Sequence, residues 1–321
     1  MKSPLAIHIL TKNNSQTIDS LLYSIREINC NLIVGDLGSS DNTIEKLISH
    51  DAKIIKCSLG DDFSLVRNQM IAQTKDQWIL FIEPYETIMA GLESIKIAVS
   101  GPPASYNIGV IQGDMLTRQT RLWHNSLQLK FTNPVFETIE GESNFLNAFI
   151  AVSDHKSEFD MTSIVKKWHN KSPLSPDPIY YMACNELFSK NWDSFINYAD
   201  LYLHQQKKQN MSYYMTNYYL AMVYCYIKKD YQNALKKISM CVLKSPTMAE
   251  FWCLLADIFY AIKIYDKAYH FYSNAKILGS RRLQECDWPM EISKYQDYPE
   301  KMMNSCLKVL DQTKIYFSES K

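Results

Sequence analysis

Leu32-Ile33-Val34-Gly35-Asp36-Leu37-Gly38-Ser39-Ser40-Asp41-Asn42-Thr43 reads as a short buried strand, a polar turn and the N-cap of a helix. The aliphatic run is too short for a helix and has no polar alternation, as expected of a strand covered on both faces. Asp41 two residues before Thr43 has the form of an N-terminal cap. The same grammar extends both ways: strands at Ala6 to Leu10, Lys53 to Cys57 and Trp78 to Ile82, with helices at Thr17 to Ile28, Thr43 to Ser49 and Ser64 to Gln73. This βαβα order predicts an α/β domain with a mainly parallel sheet. Ligands of such sheets sit at the carboxyl ends of the strands. The residues there are polar: Thr11-Lys12-Asn13-Asn14, Asp36 to Asp41, and Glu83-Pro84-Tyr85-Glu86.

Beyond residue 176 the pattern becomes long, Tyr-rich and helical, and it repeats. Tyr218, Ala221, Tyr231, Ala234, Ile238 and Cys241 return 34 residues later as Trp252, Leu255, Tyr265, Ala268, Tyr272 and Ala275. Thirty-four is the tetratricopeptide period, with bulky and small residues where paired helices cross. Pro246 falls at the helix-terminating position. An earlier, degenerate unit carries Trp192 and Phe195 five positions further back than this period places them, which implies an insertion of five around Gln205 to Asn210. Lys301 to Phe317 reads as a capping helix. The prolines at 173, 176 and 178 mark a linker. The expected division is 1–155 as the α/β domain, 156–178 as linker and 179–321 as an all-α helical repeat domain.

Composition narrows the function. In 321 residues, 34 Lys plus Arg balance 34 Asp plus Glu, which removes the positive field a general nucleic-acid binder needs. Nine glycines, against a usual ~7% of residues, leave little for phosphate loops. The eight cysteines form no CxxC pair, so reduced thiols are expected rather than zinc or disulfides. No run approaches a membrane span, and the residues after Met1-Lys2-Ser3-Pro4 are too short an apolar stretch for a signal core. A cytoplasmic protein is expected.

With these motifs in order, the first half resembles the family 2 glycosyltransferases of the GT-A fold. That family opens with a strand ending in a Thr/Lys-Asn turn, here Thr11 to Asn14. It continues with D-x-G-S-x-D-x-T, here Asp36, Gly38, Ser39, Asp41 and Thr43. Then come F-S-x-x-R-N as Phe63, Ser64, Arg67 and Asn68, a Trp-led strand into the acidic loop at Glu83, and Thr120 to Asn125 with Leu129 to Thr138 as the R-L-F/W-R-N…V-H-E region. The resemblance covers about residues 5–155. It implies a nucleotide-sugar donor, a UDP-sugar favoured, held by Thr11, Asn13, Asp36, Ser39, Arg67, Asn68, Glu83, Tyr85 and Arg121. Glu137 is the first candidate for the catalytic base and Glu86 the second.

The acidic loop departs from the family. Its usual D-x-D-E is Glu83-Pro84-Tyr85-Glu86, and the later His-Glu pair is Phe136-Glu137. Tyr and Phe cannot hold the hard cation that neutralises the leaving diphosphate. Three readings stay open. Leaving-group charge is carried by Arg67, Arg118, Arg121 or Lys130. Alternatively, Glu83 and Glu86, with His155, still gather Mn2+ or Mg2+. In the third, catalysis is lost and the protein is an interaction scaffold. Fusion to helical repeats resembles family 2 enzymes that act on peptides, implying a peptide or protein acceptor, a glycan being the other class, and leaves a homodimer open.

Overall fold

Seven consecutive buried residues, Leu5–Thr11, form β1, and the reason is its position: it pairs in parallel with β2 (Asn31–Asp36) on one side and β4 (Trp78–Phe81) on the other. The computed structural model describes residues 4–154, 159–173, 175–279 and 289–319. His155, a candidate cation ligand, and Cys286, one of the eight cysteines, lie outside these. The chain divides into two compact units, Met1–Trp168 and His169–Lys321.

In the first unit β3 (Lys53–Lys56) extends the parallel block. Next come β5 (Glu86–Ala90), β6 (Ser105–Gln112), β7 (Met115–His124) and β10 (Asn144–Val152). The sheet runs β3-β2-β1-β4-β7-β6-β10-β5. Strand β7 is antiparallel to both neighbours, and β6 and β10 are parallel again. The short strands β8 (Phe131–Thr132) and β9 (Thr138–Ile139) pair with each other. Helices α1 (Ile18–Ile25), α2 (Thr43–Ile48), α3 (Phe63–Ala72) and α4 (Leu92–Val99) fill the connections. This is the α/β architecture the opening residues predict, the first elements falling within a few residues of their expected bounds.

Alternation along β4 sorts the core into two layers. Trp78 and Leu80 join Ile7, Ile9, Leu21 and Val34 on one face, and Ile79 and Phe81 join Trp123 and Phe131 on the other. Gly91, before α4, has φ +85°, and a Cβ there would stand 2.3 Å from the Asn147 carbonyl oxygen. Only glycine fits, on both counts.

Residues 156–178 contain helix α5 (Met161–Lys171) and the first turn of α6 (Pro176–Phe188), which starts on its proline. Asp160 accepts from Ser163 N at the α5 start, and Ile164 and Val165 are buried. Ordered helix therefore stands in the stretch read as a linker: proline at a helix start is a favourable residue, not a breaker.

In the second unit α6 packs on α7 (Trp192–Gln205), α8 (Met211–Met222) on α9 (Tyr231–Lys244), and α10 (Ala249–Ala261) on α11 (Tyr265–Leu278), with α12 (Tyr298–Glu319) against α11. Trp192, Tyr231 and Tyr265 open α7, α9 and α11, and Phe195, Ala234 and Ala268, three positions on, are all buried. The insertion of five falls in the α7–α8 loop, whose Asn210 caps α8 by accepting from Tyr213 N at 3.1 Å. These are tetratricopeptide-like pairs. Lys190, Lys229 and Lys263 mark the turn within each pair, all with φ near +60°.

Carboxylates on α10 anchor this unit. Asp257 accepts from the hydroxyls of Tyr226, Tyr272 and Tyr298. Glu250 accepts from Tyr295 Oη at 2.6 Å and Glu291 N at 3.0 Å. Tyr218 donates to Glu291. Residues 291–298 thus cover the face of α10 that presents Glu250 and Asp257, seven apart on one side of the helix.

Candidate functional site

Thr11, Asp36 and Glu83 come together because β1, β2 and β4 are parallel neighbours, so their carboxyl ends share one edge. Asn13, in the left-handed region at φ 53°, locks the first two turns: its N donates to Ser39 Oγ at 3.1 Å and its Oδ1 accepts from Ser40 N at 2.8 Å. Thr11 Oγ1 donates to Asn14 Oδ1 at 2.9 Å. Asp36 Oδ1 accepts from Ser39 N at 2.9 Å, and no hydrogen bond is made to Oδ2 among the described residues. Asp41 is structural, as its spacing predicts. Partial burial pushes its carboxyl up, but hydrogen bonds from Ser15 and Thr43 outweigh that and draw it down to about 2.

The fourth strand leads into a cluster of ions. Arg67, on α3, donates from Nε to Glu137 Oε1 at 2.6 Å and from Nη2 to Glu83 Oε1 at 2.8 Å. Its guanidinium carbon lies 4.0 Å from the Phe81 ring centroid and 5.4 Å from that of Phe131. Arg121 donates to both oxygens of Glu86, at 2.9 and 3.2 Å, and to Gln119 Oε1 at 3.1 Å. Glu86 is 2% exposed and also accepts from Glu83 N at 2.8 Å. Burial, opposed by Arg67 and reinforced by Glu86, raises the Glu83 carboxyl above the usual range. Burial, then Arg67, pushes His8 down to about 3; this neutral imidazole is hydrogen bonded to Thr74 Oγ1 at 2.7 Å.

One donor in the cluster is unmet. Among the described residues Arg67 Nη1 is buried and has no hydrogen-bond partner, which costs about 1–3 kcal/mol for such a group.

The candidates therefore separate. Thr11, Asn13, Asp36 and Ser39 form one polar edge, and Arg67, Glu83 and Glu137 form one cluster. Glu86 and Arg121 satisfy each other in the interior. Asn68 is occupied elsewhere: its amide donates to Phe131 O and accepts from Phe131 N, both at 2.9 Å. With Pro134 O accepting from Phe63 N at 2.8 Å, helix α3 holds the segment that carries Glu137. Neither the aromatic floor of Phe81 and Phe131 nor Gln119 stands out in the sequence as a site residue; strict alternation along β4 is the signal that points to Phe81.

The residues do not fit a divalent cation. Glu83, Glu86 and Glu137 are each engaged by a guanidinium. Tyr85 stands at the centre of the loop, and its phenol is pushed far up by burial and by Glu83 and Glu86. Among the described residues no three His, Cys, Asp or Glu side chains are grouped to hold a metal ion.

No protein-family model matches the chain. Among curated proteins it is similar to TPR repeat-containing protein Synpcc7942_0270 of Synechococcus elongatus, with 24% identity over 142 residues, 42% of this chain and 35% of that protein. The chain thus spans about a third of the length of that relative. Among solved structures it is similar to S. aureus TarS 1-349 in complex with UDP-GlcNAc, with 14% identity over 94% of this chain and 92% of that one at a TM-score of 0.35. It is also similar to MamA 41-end from Desulfovibrio magneticus RS-1, with 16% identity over 50% of this chain and 86% of that one at a TM-score of 0.36. A third likeness is to glucosyl-3-phosphoglycerate synthase from Mycobacterium tuberculosis in complex with Mn2+ and UDP-Glc, with 17% identity over 34% of this chain and 44% of that one at a TM-score of 0.28.

Proposed function

We propose that the chain transfers a sugar from a nucleotide-sugar donor, a UDP-sugar first, to a hydroxyl of a peptide, protein or glycan acceptor. One observation carries the reading. The polar turns of Thr11 to Asn14 and Asp36 to Asp41 share one sheet edge with the Glu83 end of β4, where Arg67 joins Glu83 to Glu137. Asp36 Oδ2, acceptor-only and unmet, suits the N–H of a base or a ribose hydroxyl. Glu137 gives Oε1 to Arg67 and keeps Oε2 for the acceptor. In the reaction the acceptor oxygen bonds to the anomeric carbon and its proton passes to Glu137. The bond from that carbon to the diphosphate oxygen breaks, and the nucleoside diphosphate leaves.

An extended peptide acceptor would dock away from the Glu250–Asp257 face of α10, since residues 291–298 cover it. A cytoplasmic site of action belongs to this proposal: the seven described cysteines are unpaired, and no described helix is long and apolar enough to cross a membrane. One feature favours the second reading, a binding scaffold without chemistry. Leu243 and Ile277, at equivalent positions of successive repeats on α9 and α11, are 84% and 69% exposed, an apolar pair suited to a partner.

The two readings part in a turnover assay on nucleotide sugars. Glu137→Gln is expected to lower kcat by roughly 10²–10⁴-fold with nucleotide affinity within threefold of wild type. An unchanged kcat removes Glu137 from the chemistry.

A further inference from the structure

Resting on the donor-binding reading above, we propose that Arg67 takes the place of a divalent cation: its guanidinium meets the diphosphate of the donor, and nucleoside diphosphates bind this chain without metal. Three observations converge. The loop position where the family carries its cation ligand holds Tyr85, and each neighbouring carboxylate is already ion-paired with Arg67 or Arg121. Arg67 is held over Phe81 by two carboxylates that use Nε and Nη2, so its direction is fixed before any ligand arrives. The remaining edge of the fork, Nη1, is a buried cationic donor with no acceptor among the described residues. Most buried N–H groups have an acceptor, and an exception calls for an explanation; a phosphate oxygen is the acceptor a guanidinium fork matches. Arg121 offers no comparable edge, because Glu86 and Gln119 engage all three of its nitrogens.

Charge gives the proposal a test of sign. Two guanidiniums face three carboxylates, so Glu83 and a bound phosphate compete for Arg67. Removing the Glu83 charge helps the phosphate if Arg67 is the reader, and harms it if Glu83 is a metal ligand.

Calorimetric titration of the full chain with UDP, in EDTA and again in Mn2+, tests this, with uridine titrated in parallel. The expected result is a Kd equal within twofold in the two buffers, tightened at least threefold by Glu83→Gln, whose amide oxygen still accepts from Nη2. Arg67→Lys weakens UDP at least tenfold and leaves uridine unchanged. UDP binding that requires Mn2+, or that is weakened by Glu83→Gln, overturns the proposal and leaves the donor-binding reading standing. Absence of both UDP and uridine binding in either buffer removes that reading, and this inference with it. Should Arg67→Lys fail to fold by circular dichroism, the sign of the Glu83→Gln change decides.

Discussion

Glu86→Ala lowers the stability of the α/β unit by about 3–5 kcal/mol, the cost of leaving one member of a buried ion pair alone. Glu86 is the first residue of β5, opposite Val152 in the ladder, so its side chain is committed inward with the strand. There it satisfies both terminal nitrogens of Arg121 and the backbone N–H of Glu83. Alanine strands all three, and Arg121 keeps only Gln119 and the face of Phe81. Glu86→Gln keeps the shape and part of the bonding and costs less. Urea unfolding followed by fluorescence of the buried Trp78 and Trp123 measures both. A loss under about 1 kcal/mol in Glu86→Ala together with lost turnover would return Glu86 to the role of base.

Asp257→Ala is expected to cost the helical unit about 3–5 kcal/mol, since hydrogen bonds to a charged group are worth ~1.5–3 kcal/mol each and are not additive. The hydroxyls of Tyr226, Tyr272 and Tyr298 all end on this one carboxylate, joining the turn after α8 to α11 and α12. Removing a single donor, as in Tyr298→Phe, costs ~1 kcal/mol because two donors remain to satisfy Asp257. Far-ultraviolet circular dichroism during chemical unfolding follows the helical transition. Equal effects of Asp257→Ala and Tyr298→Phe would show that the three hydroxyls do not act through Asp257.

The elements that sequence reading found are those with local causes. Strands β1 to β4 are short, largely apolar runs between polar turns, and Asp41, whose spacing to Thr43 marks a helix start, accepts from Thr43 N although Asn42 holds the N-cap position. The helical repeat is legible because its pattern recurs with the tetratricopeptide period, and even the insertion before α8 follows from the longer offset of Trp192 and Phe195. What escaped depends on contacts between distant residues. Glu86, in the acidic loop, reads as a second candidate for the base or as a cation ligand; only the pairing of β5 with β10 turns it into the core. Asn68 belongs to a motif that suggests a ligand, yet its amide closes on the backbone of Phe131, far along the chain. Glu291 and Tyr295 lie in no sequence motif, yet they are bound to Tyr218 and Glu250. The selection of Glu83 and Glu137 by Arg67 has the same origin: no spacing relates 67, 83 and 137 until the sheet brings them together.

The chemistry proposed for this chain stands on one claim, that the strand ends of the α/β unit hold a nucleoside diphosphate. The most direct measurement is the melting temperature of the full chain with UDP, GDP, CMP and dTDP, each in EDTA and again in Mn2+, because a ligand bound only by the native state raises it. UDP at a hundred times its Kd is predicted to stabilise by about 2.7 kcal/mol, seen as a rise of several degrees in the α/β transition, and the same UDP concentration is predicted to give about half that stabilisation or less in Arg67→Lys. A cooperative transition that no nucleotide moves, with or without Mn2+, would contradict the claim and leave the helical repeats as the working part of the molecule.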